Sequence, residues 1–271
     1  MKSTIKTFLA AATLLLAACG GGGGGTAVAD AAAVSVPVAA VSATAVTPAA
    51  VTASATAVNG SALSAPASAF LSLDLSNLMS YTTTLPAYYD ADVAATDNTP
   101  AGARSDAVAT LGRVLFHDKR LSINNTIACA SCHNQANGFS DTARFSTGFA
   151  GTAFTTAHSM RLGNVRYWRP GNMFWDRRAA SVEAQASQPL QHPVEMGFDA
   201  AAGGLAALLT KMASLPYYPE MFRFAYGDAT ISEARIQQAL AVGLQVGLPH
   251  AAFRSKEEHG RQLAAGAQVG V

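Results

Sequence analysis

The chain has 271 residues, and its 18 basic and 17 acidic residues nearly cancel to give a formal net charge of +1. It shows neither the basic stripe typical of nucleic-acid binding nor the acidic tail typical of cation storage, so both function classes are disfavoured. The part that follows Leu78 is long enough for one modest hydrophobic core.

The first 18 residues are typical of a secretory signal peptide. Two lysines precede an apolar run from Phe8 to Ala18, which is too short to span a bilayer as a mature helix. Cys19 ends the run and is followed by glycines 20–25, as in a bacterial lipobox, where the cysteine becomes the acylated first residue. We predict a lipoprotein-type signal over 1–18 and a periplasmic protein held at the membrane by lipid on Cys19. An ordinary signal cleaved elsewhere is the alternative.

Residues 19–77 form the next segment, which we predict to be a disordered, flexible tether of low complexity. From Thr26 to Ser68 the chain is almost wholly Ala, Val, Thr, Ser and Pro, and Asp30 is its one charged residue. Because this composition has neither helical nor strand periodicity, we expect the segment to hold the folded part away from a membrane surface.

Residues 78–248 carry helix signals and no strand run of consequence, which predicts a mainly α domain. Ser105 and Asp106 mark one helix start, and the apolar residues that follow are spaced by three and four, which places them on one face. They are Val108, Leu111, Val114 and Leu115. Ser181 begins a second helix, which Pro189 ends.

Two more helices and a set of loops complete the predicted domain. One helix is indicated by four apolar residues at helical spacing: Leu205, Leu208, Leu209 and Met212. Ser232 with Glu233 starts the other. Between Gly138 and Gly171 the chain is rich in Gly, Thr, Phe and Arg, which predicts long loops. Residues 249–271 lose the helical pattern and are predicted to be a divergent tail.

The most specific motif is Cys129-Ala-Ser-Cys132-His133, which has the C-x-x-C-H form of a c-type haem attachment site. Two thiols one helical turn apart reach the two vinyl groups of one porphyrin, and the histidine ligates the iron. A zinc site is the first alternative, but zinc usually takes four protein ligands and the chain has no second cysteine pair to complete them. A thiol redox pair is the second, but nothing nearby suggests its βαβ unit. Of three cysteines, one is then assigned to lipid and two to one covalent haem c, which leaves none for a disulfide.

Beyond this motif, the chain from about Leu85 to Leu240 resembles the N-terminal haem domain of bacterial dihaem cytochrome c peroxidases and of the related methylamine-utilisation maturases. The resemblance rests on the haem motif and on further stretches at 111–116, 118–122, 138–139, 174–181 and 193–197. It implies a cytochrome-c-like haem domain. In this family two covalent haems, one per domain, reduce hydrogen peroxide or drive the oxidation of a partner protein.

The resemblance also implies roles for three residues. Trp175 stands where the family has a tryptophan between its haems, as an electron relay; a core tryptophan is the alternative. Gln185 and Glu195, with Pro189 between them, match the distal face of the peroxidatic haem. There the glutamate takes a proton from peroxide and delivers it to the leaving oxygen, which departs as water, and the glutamine donates a hydrogen bond. A solvated loop charge is the alternative for Glu195.

Two departures from the family pattern bear on metal binding. Gly148-Phe149 stands where peroxidases that need reductive activation carry a Gly-His pair, whose histidine is a second axial ligand. Phenylalanine cannot ligate iron, which predicts an open sixth site. His158 stands where the family usually has an asparagine that helps to hold calcium between the domains. It could be a replacement ligand, a surface histidine or a residue that faces the haem edge. We favour the surface histidine, and the difference puts calcium binding in doubt.

The chain carries one C-x-x-C-H motif, whereas the family continues into a second domain with its own. From about Val242 the sequence stops resembling the family and looks like a truncated or frameshifted reading. The first hypothesis is an exported haem c oxidoreductase of the cytochrome c peroxidase type, which reduces hydrogen peroxide with electrons from a donor cytochrome or cupredoxin. The resemblance also allows a protein substrate. The alternatives are a monohaem c electron carrier and an inactive fragment that lacks the second haem domain.

Overall fold

The structure, a computed structural model, describes most of the chain from residue 105 to 247 and shorter stretches before it. The described residues are 51–52, 62–81, 92, 95–99, 105–169 and 171–247. The predicted signal peptide with Cys19, most of the predicted tether and the predicted tail lie outside them. Within them the chain is rich in helix and has little strand, as the sequence predicts.

The helices of the described residues are short to medium in length. They are α1 (Ala65–Ser68), α2 (Asp106–His117), α3 (Cys129–Cys132), α4 (Val182–Ala186), α5 (Gly204–Ser214), α6 (Tyr217–Tyr226) and α7 (Glu233–Val242). Single 3₁₀ turns occupy Lys119–Leu121, Gln135–Asn137 and Val165–Tyr167, and a π-helical turn, Gly243–Gly247, follows α7. None of these helices combines the length and the hydropathy that a bilayer-spanning helix requires.

Helix α2 lies at the centre of the core, and its start is set by local capping. The Ser105 hydroxyl accepts a hydrogen bond from Val108 N at 3.1 Å, which satisfies one of the free amides of the first turn. Leu111 is fully buried on the face that the spacing predicts. Gly112 allows α2 to pack closely on α7, because a Cβ at this position would lie 1.9 Å from Ala239 O.

The helices predicted from capping and periodicity are present as α2, α4, α5 and α7, whereas α6 was not predicted. The hydroxyls of Ser181 and Ser232 cap α4 and α7 at 3.2 Å and 3.4 Å. Pro219 lies in the first turn of α6, where a proline is tolerated because the amides of that turn have no partner within the helix. The buried face of α6 is made of Tyr217, Tyr218, Met221 and Phe222.

The strands in the described ranges form one short antiparallel pair. Strand β1 (Val51–Thr52) pairs with β2 (Thr230–Ile231), with Val51 opposite Ile231. Strand β1 comes from the segment that the sequence assigns to the tether. Between Leu111 and Leu240 the described residues show no sheet of several paired strands, in agreement with the mainly α prediction.

Residues 62–77, which the sequence also assigns to the tether, contact helix α6. The Glu220 carboxylate of α6 accepts a hydrogen bond from Ser64 N at 2.9 Å, and the ring of Phe70 lies 5.6 Å from that of Tyr217. Leu75 is buried. The contacts of the folded part therefore begin before Leu78, because a few apolar side chains among the small residues of this segment pack against α6.

Candidate haem site

The two cysteines of the haem motif lie on one turn of helix, α3. Ser131 helps to start this turn, because its hydroxyl accepts a hydrogen bond from Ala128 N at 3.0 Å. Cys129 and Cys132 are half-buried and not joined to each other. Burial raises the pKa of Cys129 to about 12 and raises that of Cys132. Burial thus favours the neutral thiol at both positions.

The histidine of the motif is oriented by a turn that follows it. His133 Nδ1 lies 3.0 Å from Phe139 O, and since a carbonyl only accepts, Nδ1 donates to it, as the second ring nitrogen of a metal-ligating histidine commonly does. The carbonyl is presented by a tight turn, in which Phe139 N donates to Asn134 O at 2.8 Å and Gly138 adopts φ +68°. Burial lowers the pKa of His133, which favours the neutral, ligating form. The three motif residues fit a covalent haem.

The loop that carries Glu195 is joined to the loop that carries Phe149. Phe149 N donates to both Val194 O and Glu195 O at 3.1 Å. A Cβ at Gly148 would lie 2.0 Å from Val194 O, so the two backbones approach closely there. Gly197 adopts φ +86°, and a Cβ there would lie 2.7 Å from the Phe149 ring. The two loops thus form one packed unit that requires glycine at both positions.

The segment that leads into α3 binds this unit from a second side. Asn124 Nδ2 and Thr126 Oγ1 both donate to Phe149 O, at 2.9 Å and 2.8 Å, and Ile123 N donates to Met196 O at 2.9 Å. Since the haem motif follows Thr126 after two residues, these bonds tie the Glu195 loop to the motif.

Glu195 is partly shielded, and the side chains of His192 and Arg178 lie near it. Its side chain is 32% exposed, and Oε1 lies 3.7 Å from His192 Nδ1. Burial raises the pKa of Glu195, against the opposing effects of His192 and Arg178. Its charge in turn helps to raise the pKa of Cys129 and of Cys132, which places the carboxylate within electrostatic reach of the haem motif.

Gln185 lies half-buried on α4, and within the described residues no hydrogen bond joins its side chain to Glu195. One turn further along, Gln188 Oε1 accepts a hydrogen bond from Arg178 Nε at 3.1 Å. Arg178 also forms an ion pair with Asp176 at 2.9 Å, and its charge acts on Glu195. Arg178, Gln188 and His192 are thus neighbours of the site that no local sequence pattern indicates.

Trp175 lies at the surface of the described part of the chain. It is 63% exposed, and its Nε1 donates to His158 O at 2.8 Å. The indole lies in a strained turn, because Phe174 before it and Arg177 two residues after it both have positive φ, at 69° and 57°. The indole is therefore held in one orientation while most of it remains accessible to a partner.

His158 lies at the surface, as the sequence analysis expected. Its ring nitrogens are engaged, with Nε2 at 3.0 Å from Ser140 Oγ and Nδ1 at 3.0 Å from Ala143 O. Across the described ranges, no group of three or more His, Cys, Asp or Glu side chains is arranged to hold a metal ion. His158 here connects the turn after the haem motif to the loop that supports Trp175.

Comparison with known proteins agrees with this geometry. The family model described as di-haem cytochrome c peroxidase matches residues 106–245. The chain belongs to this family. Among curated di-haem peroxidase relatives, it is 37% identical over 135 residues to the methylamine utilization protein MauG of Methylophilus methylotrophus, across 49% of this chain and 37% of that protein. It is 33% identical over 140 residues to the cytochrome c551 peroxidase of Nitrosomonas europaea, across 49% of this chain and 38% of that protein.

A solved structure extends the likeness to the fold. A MauG-like protein associated with microbial copper homeostasis matches with a TM-score of 0.52 and 28% identity, over 68% of this chain and 55% of that chain. The chain thus spans little more than a third of the curated relatives it matches. Membership in the di-haem cytochrome c peroxidase family implies haem c, which the Cys129, Cys132 and His133 set is suited to hold.

Proposed function

We propose that this chain is an exported haem c oxidoreductase of the peroxidase type, which reduces hydrogen peroxide with electrons from a donor protein. The observation that carries the proposal is the position of Glu195. Its loop is bonded through Phe149 to the segment that leads into the haem motif. A partly shielded carboxylate is thereby held beside a haem attachment site, where a peroxidase needs a group that moves protons.

The residues have separate tasks in this proposal. Cys129 and Cys132 would hold the haem and His133 Nε2 would ligate its iron; when bound, the haem supplies the electrons for reduction. Glu195 would accept one proton of hydrogen peroxide and return it to the departing oxygen, so that the O–O bond breaks with release of water rather than hydroxide. Gln185 would donate a hydrogen bond to the peroxide. Overall, one peroxide takes two electrons and two protons to give two waters.

Phe149 supports the peroxidase role because it contributes no ligand. Its side chain packs against Gly197 and its backbone bonds to Val194 and Glu195, so it closes the loop unit with an apolar ring. A phenyl ring has no lone pair and could not hold a metal ion, so Cys129, Cys132 and His133 are the residues that would hold the haem. The lack of a ligating side chain at position 149 supports peroxide reduction over simple electron transfer.

The partners follow from the accessible tryptophan. Trp175 offers an exposed indole, which suits electron exchange with a donor cytochrome or cupredoxin, or with a protein substrate.

We also propose that the chain is periplasmic and attached to the membrane by lipid on Cys19. Fractionation of cells that express the chain tests this: the parent should sediment with membranes, and Cys19→Ala should be released or misprocessed. Equal soluble fractions of both would contradict the anchor.

The peroxidase proposal is tested by mixing the chemically reduced, haem-bearing chain with hydrogen peroxide in a stopped-flow spectrometer. The reference is the haem peptide cut from the same chain, which keeps Cys129, Cys132 and His133 but lacks the Glu195 loop. We expect the intact chain to be oxidised about 100-fold faster or more, with two electrons consumed per peroxide. A chain that cycles between oxidised and reduced forms but reacts no faster than the peptide is an electron carrier.

A further inference from the structure

The loop that carries Glu195 is closed by the side chain of His192. His192 Nδ1 accepts hydrogen bonds from Val194 N at 3.3 Å and from Glu195 N at 3.2 Å, and the His192 carbonyl accepts one from Gly197 N at 2.9 Å. We propose that His192 is a positioning residue for Glu195, whose ring fixes the backbone from which the carboxylate projects. This inference rests on the proposed function, because it assigns the group that holds the proton-handling residue in place.

The hydrogen bonds of the loop show why the ring matters. Neighbouring loops hold its carbonyls: Phe149 N binds those of Val194 and Glu195, and Ile123 N binds that of Met196. Within the part of the chain that the structure describes, the His192 ring is the acceptor for the amides of Val194 and Glu195. Since each backbone amide needs a partner, removal of the ring leaves two donors to water. Water solvates them but does not fix their position.

The ring acts through one atom, which defines a matched pair of variants. Because Nδ1 accepts two hydrogen bonds, the neutral ring carries its proton on Nε2. Asparagine places an acceptor, Oδ1, on the same side-chain carbon, and its side chain commonly binds the amide two residues later. Alanine has no acceptor. His192→Asn should therefore preserve the loop, whereas His192→Ala should release it.

The distance between the two side chains separates this role from direct proton transfer. His192 Nδ1 lies 3.7 Å from Glu195 Oε1, which is beyond hydrogen-bond length, and the lone pair of Nδ1 points to the amides instead. The ring thus holds the loop and leaves the carboxylate free to exchange its proton with peroxide.

The test uses the full haem-bearing chain and measures amide exchange as well as reaction rate. Hydrogen exchange followed by mass spectrometry reports on a peptide that covers residues 192–197. We expect the amides of Val194 and Glu195 to exchange about fivefold faster in His192→Ala, since each lost hydrogen bond contributes roughly 1 kcal/mol. In His192→Asn they should exchange at the parental rate. Parental exchange in His192→Ala would overturn the proposal.

Peroxide kinetics then show whether His192 acts through Glu195. His192→Ala should lower the rate of peroxide cleavage about 10- to 100-fold, as small displacements of a catalytic group do, and His192→Asn should restore most of it. When Glu195→Gln is already present, His192→Ala should change the rate less than about twofold, because coupled residues are not additive. Equal losses in His192→Ala and His192→Asn, or a full additional loss in the Glu195→Gln chain, would overturn the inference.

The proposed function and the role of His192 can be contradicted separately. A Glu195→Gln chain that cleaves peroxide as fast as the parent contradicts the proposed function itself, together with the role of His192. A slow Glu195→Gln chain with a fast His192→Ala chain contradicts the inference alone.

Discussion

The helical core and the loops around the haem motif are held together in different ways. In the core, helices α2 and α7 pack so closely that Gly112 has no room for a side chain, and the interface is filled by buried apolar residues. In the loops, Phe149, Glu195 and the segment before Cys129 are joined by hydrogen bonds between backbones that are distant in sequence. Substitutions that remove a few hydrogen bonds should therefore alter the geometry of the loops, whereas the stability of the core should depend mainly on side-chain volume.

The largest expected effect lies in the haem motif. Replacement of both Cys129 and Cys132 by alanine removes the two thioether bonds, so haem staining of a denaturing gel should be lost completely. Cys19→Ala is the control, because it removes the other cysteine of the chain and should keep the stain. Full staining of the double variant would contradict covalent attachment.

The core is probed by Gly112→Ala. The new Cβ would lie 1.9 Å from Ala239 O, so α2 and α7 must separate. We expect a loss of about 3 kcal/mol in the free energy of unfolding, as in severe overpacking. Gly163→Ala is the matched control, since a Cβ there meets nothing within 4 Å. Equal denaturation midpoints for the two variants would show that the close approach of the helices is wrong.

A smaller effect, with a defined pH dependence, is expected at Asp97. Burial alone would raise its pKa, but hydrogen bonds from Arg166 and Thr99 outweigh burial and hold the pKa of Asp97 well below its ordinary value. Arg166 Nε and Nη2 donate to the carboxylate at 3.1 Å and 2.9 Å. Asp97→Asn should cost about 2 kcal/mol of stability at neutral pH.

The sign of that dependence follows from the lowered pKa. A carboxylate with a depressed pKa in the folded state stabilises the protein fully above its unfolded pKa, and this stabilisation is lost as the pH falls towards the folded value. The stability difference between the parent and Asp97→Asn should therefore be constant from neutral pH to about pH 5 and shrink below about pH 4. A difference that grows on acidification would contradict the ion pair.

The smallest effect is expected at the strained turn beside Trp175. Arg177 has φ +57°, a backbone conformation that glycine adopts without steric cost. Arg177→Gly should raise the free energy of unfolding by about 0.5 to 1 kcal/mol, measured by chemical denaturation. A lower free energy of unfolding in Arg177→Gly would mean that the contacts of the arginine side chain stabilise the fold by more than its positive φ destabilises it.

The sequence was sufficient for the parts of the fold that depend on local signals. Ser105 and the apolar spacing behind it predict α2, and Ser181 and Ser232 predict the starts of α4 and α7. Helix α6 lacks a start signal of this kind, because no side chain caps its first turn and Pro219 stands within that turn. The buried Tyr217, Tyr218, Met221 and Phe222 carried a helical pattern that would have identified it.

The haem ligands were also readable, because Cys129, Cys132 and His133 are neighbours in the chain. The role of Glu195 was predicted from a family resemblance. Its contacts in the folded chain could not be predicted from the sequence. The bond from Phe149 N to Glu195 O joins residues 149 and 195, and no local pattern indicates such a pairing. His192 left no local signal, since the side chains that commonly cap a turn in this way are Asn, Asp, Ser and Thr, and the position of Arg178 likewise depends on the folded loops.

The central claim is that Glu195 handles the proton of peroxide beside the haem motif. The most direct measurement compares the rates at which peroxide oxidises the reduced haem-bearing chain in the parent, in Glu195→Gln and in Glu183→Gln, a control with the same chemical change in the first turn of α4. The account predicts a rate about 100- to 10,000-fold lower for Glu195→Gln, with an unchanged rate for Glu183→Gln and intact haem in both. A Glu195→Gln rate equal to that of the parent, or a ferric haem with two histidine ligands, would contradict it.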